Sequence, residues 1–222
     1  MTPVELLQQL IRFDTTNPPG NEADCMAFVR GLLEDAGCRV ETYAKDPARP
    51  NVVARLRGGG TRPPLLLQGH VDVVTTSGQD WSRPPFGGEL VDGYVWGRGA
   101  LDMKGGVAMM LAAFLRAARE ETQMPGDVVL AVLADEENGG DFGAKFLVEE
   151  HPNLFEGVQY SLGEFGGFTL EVQGKRLYPI QIAEKQICWL KATIPGRGGH
   201  GAVPQRGGTM ARLSRFLNDL DR

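Results

Sequence analysis

Residues 65–74 read LLLQGHVDVV, an apolar, branched run with the texture of a buried strand, broken by His70 and Asp72. Side chains two apart on a strand point to the same side, so these two can meet. A charged Asp in such a run is costly unless something pairs with it. The stretch therefore sets two expectations: a central strand in a layered sheet, and a partner that compensates Asp72.

Helix and strand patterns alternate outward from it. Residues 3–12 read as a helix, with Thr2 as cap, Pro3 in the first turn and Glu5 as capping-box partner. The loop FDTTNPPGNEA follows, then a helix from about Glu22 that Gly37 stops. Strands are expected at 39–43, 51–56, 65–68 and 127–133. Helices are expected at 105–121 and from near Phe142, where Asp141 is placed to cap. Residues 75–98, rich in Gly, Pro and aromatic side chains, read as one long loop. Such alternation predicts an α/β fold, a mixed and mostly parallel sheet with helices on both faces.

From about Glu184 the character changes. KQICWLKATIP alternates apolar and polar residues as a strand with one wet face does. A glycine-rich turn, GRGGHGAVPQRGG, leads into the amphipathic segment MARLSRFLNDL. One strand and one helix cannot bury their apolar faces alone. The reading therefore divides the chain into 1–183, an α/β domain lacking its C-terminal part, and 184–222, the incomplete start of a small α+β domain.

Hydrophobic residues make up 42% of the chain and charged residues 23%, with a net charge of −5 and both signs interspersed. No basic surface for nucleic acid is expected from that balance, and no apolar run approaches a membrane span. Cys25, Cys38 and Cys188 are odd in number and widely spaced, which argues against a disulfide framework or a cysteine zinc site. The N-terminal residues lack the apolar segment of a signal peptide. A cytoplasmic location is the default expectation.

Unusual polar residues recur at strand ends and loops, where α/β sheets collect ligand sites. His70 and Asp72 follow LLLQG, and Asp102 lies between VWGRGAL and MKGG. Glu136 and Glu137 sit in VLADEENGG, and Glu164 sits in YSLGEFGG. Each has a bland reading alone: a hydrogen-bonded core histidine, a solvated glutamate pair, a turn. Together, one imidazole with several carboxylates is a ligand set suited to Zn²⁺, or to Mn²⁺ or Co²⁺. Asp72 is spaced to hold the second N–H of His70, so the metal and its ligand His70 are expected to compensate it. Adjacent glutamates can divide the labour, one on the metal and the other facing a water as general base. Met103, Met109 and Met110 read as core filler, Trp81 and Trp96 as loop packing, and Lys104 as support for the Asp102 loop. Arg98 is left between substrate contact and a local carboxylate.

The motifs GHVDVV, GRGALDMKGG, DEENGG, GEFGG and GRGGHGAVP, in this order, resemble the M20 family of di-metal peptidases and amidohydrolases. That family includes carboxypeptidase G2-like enzymes, acetylornithine deacetylase, succinyl-diaminopimelate desuccinylase and aminoacylases. The resemblance runs from about Phe13 to the last residue. It implies a zinc-peptidase-like catalytic domain with an inserted dimerisation (lid) domain, and hydrolysis of an amide in a small peptide or N-acyl amino acid. It implies two divalent ions, Zn²⁺ first, with Co²⁺ or Mn²⁺ as alternatives. His70 and Glu164 would hold one ion and Glu137 the other, with Asp102 bridging and a cis peptide at Asp102–Met103. Glu136 would be the general base and Asp72 would stand behind His70. His200 would stabilise an oxyanion in the partner's site of a homodimer.

The family also uses a histidine and a substrate-carboxylate clamp from a C-terminal segment beyond the inserted domain. The histidines here are His70, His151 and His200, and His151 in VEEHPNLF reads as a helix end. The resemblance thus covers roughly the first half of such an enzyme, with the Glu137 position under-coordinated and activity low or absent. The alternative is a non-catalytic α/β fragment with a structural or association role, holding at most one metal. A nucleotide-binding domain would need its glycines to open a helix, but those at 58–60 are followed by TRPP. A serine hydrolase would need a G-x-S-x-G elbow, which is absent.

Overall fold

The computed structural model of the chain describes residues 1–120, 123–165, 169–183, 185, 190–196, 198–200 and 206–221. It forms two units, Met1–Gln181 and Ile182–Arg222. The first holds helices α1 (Pro3–Ile11) and α2 (Ala23–Asp35), then strands β1 (Val40–Tyr43), β2 (Asn51–Leu56) and β3 (Leu65–His70). A hairpin of β4 (Glu89–Val91) and β5 (Tyr94–Trp96) follows, then α3 (Lys104–Arg119), β6 (Val128–Leu133), α4 (Ala144–Glu150) and β7 (Tyr160–Leu162). A second hairpin, β8 (Leu170–Val172) and β9 (Lys175–Leu177), closes this unit.

Five strands form one mixed sheet in the order β1-β2-β6-β3-β7. β1 and β2 pair antiparallel, as do β2 and β6, whereas β6, β3 and β7 run parallel. The central strand β6, VVLAVL, is buried over all but its first residue. It has a neighbour on each side and cover on each face, so its sequence is continuously apolar. Its side chains still divide by parity. Leu130 and Val132 join Leu6, Leu10, Met26, Leu111 and Phe114 on the face that α1, α2 and α3 cover. Val129, Ala131 and Leu133 join Phe146 and Leu147 of α4 on the other face.

Local signals explain most element ends. The Thr2–Glu5 capping box forms in both directions, at 3.2 and 2.8 Å, a cap worth about 1 kcal/mol. Gly37, at φ 77°, follows α2 as expected. β3 runs two residues past its expected end because Gly69 and His70 continue the ladder to Val132 and Leu133. The 75–98 loop contains the β4–β5 hairpin, turned by Asp92 and Gly93 at φ 51° and 82°. Two positive φ values in a two-residue turn are the D-G signature of a type I′ hairpin. Asp141 does not cap α4, which starts at Ala144 without a side-chain cap; instead it accepts from Lys145 Nζ at 2.6 Å.

In the second unit, α5 (Thr209–Leu220) forms from the amphipathic segment. Within the expected strand KQICWLKATIP, residues 186–189 lie outside the described residues, and 190–195 form no regular strand. No helix among the described residues is long and apolar enough to cross a membrane.

Candidate metal centre

Parallel pairing brings the carboxyl ends of three strands to one edge: His70 sits opposite Leu133, and Leu67 opposite Leu162. The chain leaving β3 carries Asp72, that leaving β6 carries Asp135, Glu136 and Glu137, and that leaving β7 carries Glu164. Asp102 arrives from the turn before α3, with its peptide to Met103 cis. Met103 is buried below it. Gly105 is required there, since a Cβ would collide with the Ala100 carbonyl oxygen.

The imidazole of His70 is the hub. Its Nε2 lies 3.2 Å from Asp102 Oδ1, 3.6 Å from Glu136 Oε2 and 3.7 Å from Glu164 Oε2. That nitrogen is buried and makes no hydrogen bond. Nδ1 lies 3.0 Å from the Asp72 carbonyl oxygen and 3.3 Å from Asp72 Oδ1. Two acceptors at Nδ1 keep the hydrogen there and leave the Nε2 lone pair for a ligand. Donor atoms of His70, Glu136 and Glu164 lie within 4.8 Å of one another, as do those of His70, Asp102 and Glu137.

Burial opposes a charge on His70, but the hydrogen bond and charge of Asp72, with Glu136 behind them, push its pKa up to about 9. Burial, then the hydrogen bond and charge of Asp102, push Glu164 up to about 7. Burial and Asp102 also raise Glu137. Crowded carboxylates keep protons because like charges repel. A divalent cation replaces those protons, and an unpartnered imidazole nitrogen among carboxylate oxygens is the donor set it needs. The residues therefore fit a divalent metal.

The compensation of Asp72 differs from expectation. Its Oδ1 accepts from the Glu136 N–H at 3.0 Å. Its Oδ2 accepts from the Glu137 N–H at 3.0 Å and from Asn17 Nδ2 at 2.8 Å. Burial raises the Asp72 pKa, yet the bonds from His70 and Asn17 hold it below the usual range. Backbone amides and a remote carboxamide thus join His70 in the role first given to His70 and a metal. Hydrogen bonds that close across the fold leave no trace in LLLQGHVDVV.

Behind Asp72 lies a buried network that sequence reading missed. Arg49 pairs with Glu22 at 2.8 Å and with Asp135 at 3.0 Å. Asp135, at φ 64°, also accepts from the Phe142 N–H at 3.1 Å. Its adjacency to Glu136 was the only available signal. Lys104 is buried and donates from Nζ to the Phe13 carbonyl at 2.8 Å, and burial lowers its pKa to about 8.

Arg98 donates to Gln79 Oε1 at 2.6 Å and stacks on Trp81, 5.2 Å from the ring centre. His151 packs on Tyr43 and Phe146, with centroids at 4.4 and 5.1 Å. Met109, expected in the core, is 62% exposed on the outer side of α3. His200 lies in the second unit and is exposed.

The sequence profile described as peptidase family M20/M25/M40 matches residues 66–185, the segment that carries His70, Asp102, Glu136, Glu137 and Glu164. The succinyl-diaminopimelate desuccinylase of Methylorubrum extorquens is 34% identical over 212 residues, 92% of this chain and 53% of that protein. The N-formyl-4-amino-5-aminomethyl-2-methylpyrimidine deformylase of Halalkalibacterium halodurans is 37% identical over 148 residues, 65% of this chain and 34% of that protein. Human carnosine dipeptidase 1 has a similar fold, at TM-score 0.62 and 24% identity, over 72% of this chain and 37% of its own. So does the M20 family metallo-carboxypeptidase Sso-CP2 of Sulfolobus solfataricus, at TM-score 0.62 and 20% identity, over 73% and 37%. The chain spans about half the length of the desuccinylase relatives it matches. Because the profile matches more than half of its residues, and those that converge at the strand ends are among them, the chain belongs to peptidase family M20/M25/M40.

Proposed function

We propose that the chain is the metal-binding part of a divalent-metal-dependent hydrolase that cleaves an amide bond in a small peptide or an N-acyl amino acid. The observation that carries this reading is the buried His70 Nε2, without a hydrogen-bond partner and faced by carboxylates of Asp102, Glu136 and Glu164. The desuccinylase, deformylase and dipeptidase relatives share one chemistry by name, the cutting of an amide bond, and that chemistry is what carries over.

In this reading His70 and Glu164 would hold one ion and Glu137 a second, Asp102 would be a ligand shared by the two, and Zn²⁺ would be the first choice. Bound ions supply polarisation of the amide carbonyl and a water acidic enough to ionise near neutral pH. Glu136, half exposed and with its own N–H fixed on Asp72, takes the proton and passes it to the leaving amine. Asp72 holds the Nδ1–H of His70. One Nε2 lone pair serves one ion, so among the described residues the Glu137 position has carboxylate oxygens alone and binds more weakly. A homodimer, His200 acting across it, the split into domains at 183–184 and a cytoplasmic setting are further proposals, supported by the sequence and its resemblance.

Calorimetric titration of the purified chain with Zn²⁺ is expected to give two sites of unequal affinity. One site or none favours a non-catalytic fragment. Glu136→Gln separates base from ligand. If Glu136 is the base, the variant loses the chain's residual hydrolysis of an N-acyl amino acid by about 10²-fold or more, with ion stoichiometry intact. Loss of an ion makes Glu136 a ligand and overturns the assignment.

A further inference from the structure

Asn17 comes from the loop FDTTNPPGNEA, distant in sequence from every candidate ligand, and is only 3% exposed. Its Nδ2 donates to Asp72 Oδ2 at 2.8 Å and to Asp135 Oδ1 at 3.0 Å. Its Oδ1 is buried and accepts nothing, so the NH₂ group alone sets how the side chain lies. A flipped amide would face two carboxylate oxygens with a third oxygen, which fixes the orientation. Asp72 and Asp135 are themselves fully buried. Two such carboxylates repel one another at close range, and a neutral group with two hydrogens can bridge them.

The backbone of Asn17 is equally committed. Its N–H donates to the Val73 carbonyl at 2.9 Å, and the Val73 N–H returns to the Thr15 carbonyl at 3.1 Å. Thr15 Oγ1 donates to the Val71 carbonyl at 2.5 Å. The loop is thus stitched alongside residues 71–73, and the carboxamide reaches across from there to the turn at 135–137. Asp72, on the near side, grips the N–H groups of Glu136 and Glu137. Asp135, on the far side, is anchored by Arg49.

We propose that Asn17 is a positioning residue of the metal centre: by bridging the Asp72 and Asp135 carboxylates it locks the 135–137 turn against the end of β3 and so fixes where the Glu136 and Glu137 oxygens fall around His70 Nε2. The proposal rests on the metal-hydrolase reading. Without the NH₂ group the two carboxylates face each other unbridged, and the turn must shift to separate them. That shift carries the base Glu136 and the ligand Glu137 with it.

The test uses the 222-residue chain, with Co²⁺ as probe, followed by calorimetry and by its visible absorption bands. Thermal melts by circular dichroism run in parallel. Asn17→Ala is expected to bind Co²⁺ about 10–100-fold more weakly, with altered bands. Asn17→Ser has a single hydroxyl hydrogen and can serve one carboxylate only, so it is expected to fall between the two. Wild-type protein that takes up no Co²⁺ overturns the metal reading itself. Wild-type protein that binds, beside variants with unchanged bands and affinity within about twofold, overturns the positioning role alone, even where the melting temperature drops. Should Asn17→Ala fail to fold, the serine variant decides by the same criteria.

Discussion

Asp72→Asn would show how far the support behind the ligands sets ion affinity. Asp72 receives one N–H on Oδ1, from Glu136, and two donors on Oδ2, from Glu137 and Asn17. An asparagine keeps one oxygen. If its NH₂ group takes the Oδ2 place it meets two donors, and if it takes the Oδ1 place it meets one, besides the nearby His70 Nδ1. The second orientation is cheaper and is the one expected. It leaves the Glu136 N–H without an acceptor, at about 1–3 kcal/mol, and turns the two remaining bonds from charged to neutral acceptors at about 1 kcal/mol each. The loss is roughly 2–4 kcal/mol once relaxation is allowed for. At about 2–4 °C per kcal/mol for a chain of this size, the melting temperature falls by about 4–16 °C. The His70 tautomer survives, because the Asp72 carbonyl still accepts from Nδ1. Weaker ion binding must therefore come through the 135–137 turn, and a loss of about 10–100-fold is expected. Circular dichroism melts without ion and Zn²⁺ calorimetry measure the two quantities. A variant that melts within about 1 °C of wild type, or binds Zn²⁺ equally well, would refute the reasoning.

Arg49→Met strands two buried carboxylates, Glu22 and Asp135, and urea titration is expected to show a loss of about 3–5 kcal/mol. Arg30→Ala, which breaks the exposed pair with Glu34, is the control at under about 0.5 kcal/mol. Between about pH 5 and pH 8 the ion-free protein is expected to lose the stability that His70 and Glu164 contribute. His70 and Glu164 have folded pKa values raised from 6.5 to about 9 and from 4.5 to about 7, so their stabilisation is complete below the lower figures and gone above the higher ones. Zn²⁺ needs both groups deprotonated, and its increment in melting temperature is expected to be larger near pH 8 than near pH 5. Equal increments in scanning fluorimetry would contradict this.

The sheet was legible because a buried strand announces itself locally: VVLAVL and LLLQG are apolar runs bounded by turn residues. His70, Asp102, Glu136, Glu137 and Glu164 stood out for the complementary reason, as charged or polar groups where such runs end, and the fold gathers their donor atoms around one imidazole. The two hairpins were missed because three-residue strands are too short to show alternation, although the Asp92–Gly93 turn was in view. Asn17 and Arg49 were invisible for a different reason. Their partners lie 55 and 118 residues away for Asn17 and 27 for the Arg49–Glu22 pair, and no periodicity encodes a pairing closed by tertiary structure.

The two nitrogens of His70 face two different media. On the Nδ1 side Asp72, Asn17, Asp135, Arg49 and Glu22 are all 5% exposed or less, so hydrogen bonds there act in a low dielectric and are stronger than they would be in water. On the Nε2 side the side chains of Asp102, Glu136 and Glu164 are 56%, 54% and 45% exposed. The difference follows from what each side must do. Three carboxylates buried together without a metal cation would face a desolvation cost that one imidazole cannot offset, whereas half-exposed ones stay hydrated until an ion arrives from solvent. Geometry is therefore held on the dry side and charge is offered on the wet one. A change at Asn17 or Asp72 alters affinity by moving donors that remain present, while a change at Glu164 removes a donor outright. The first kind should reshape the visible bands of bound Co²⁺, and the second should lower how much Co²⁺ is bound.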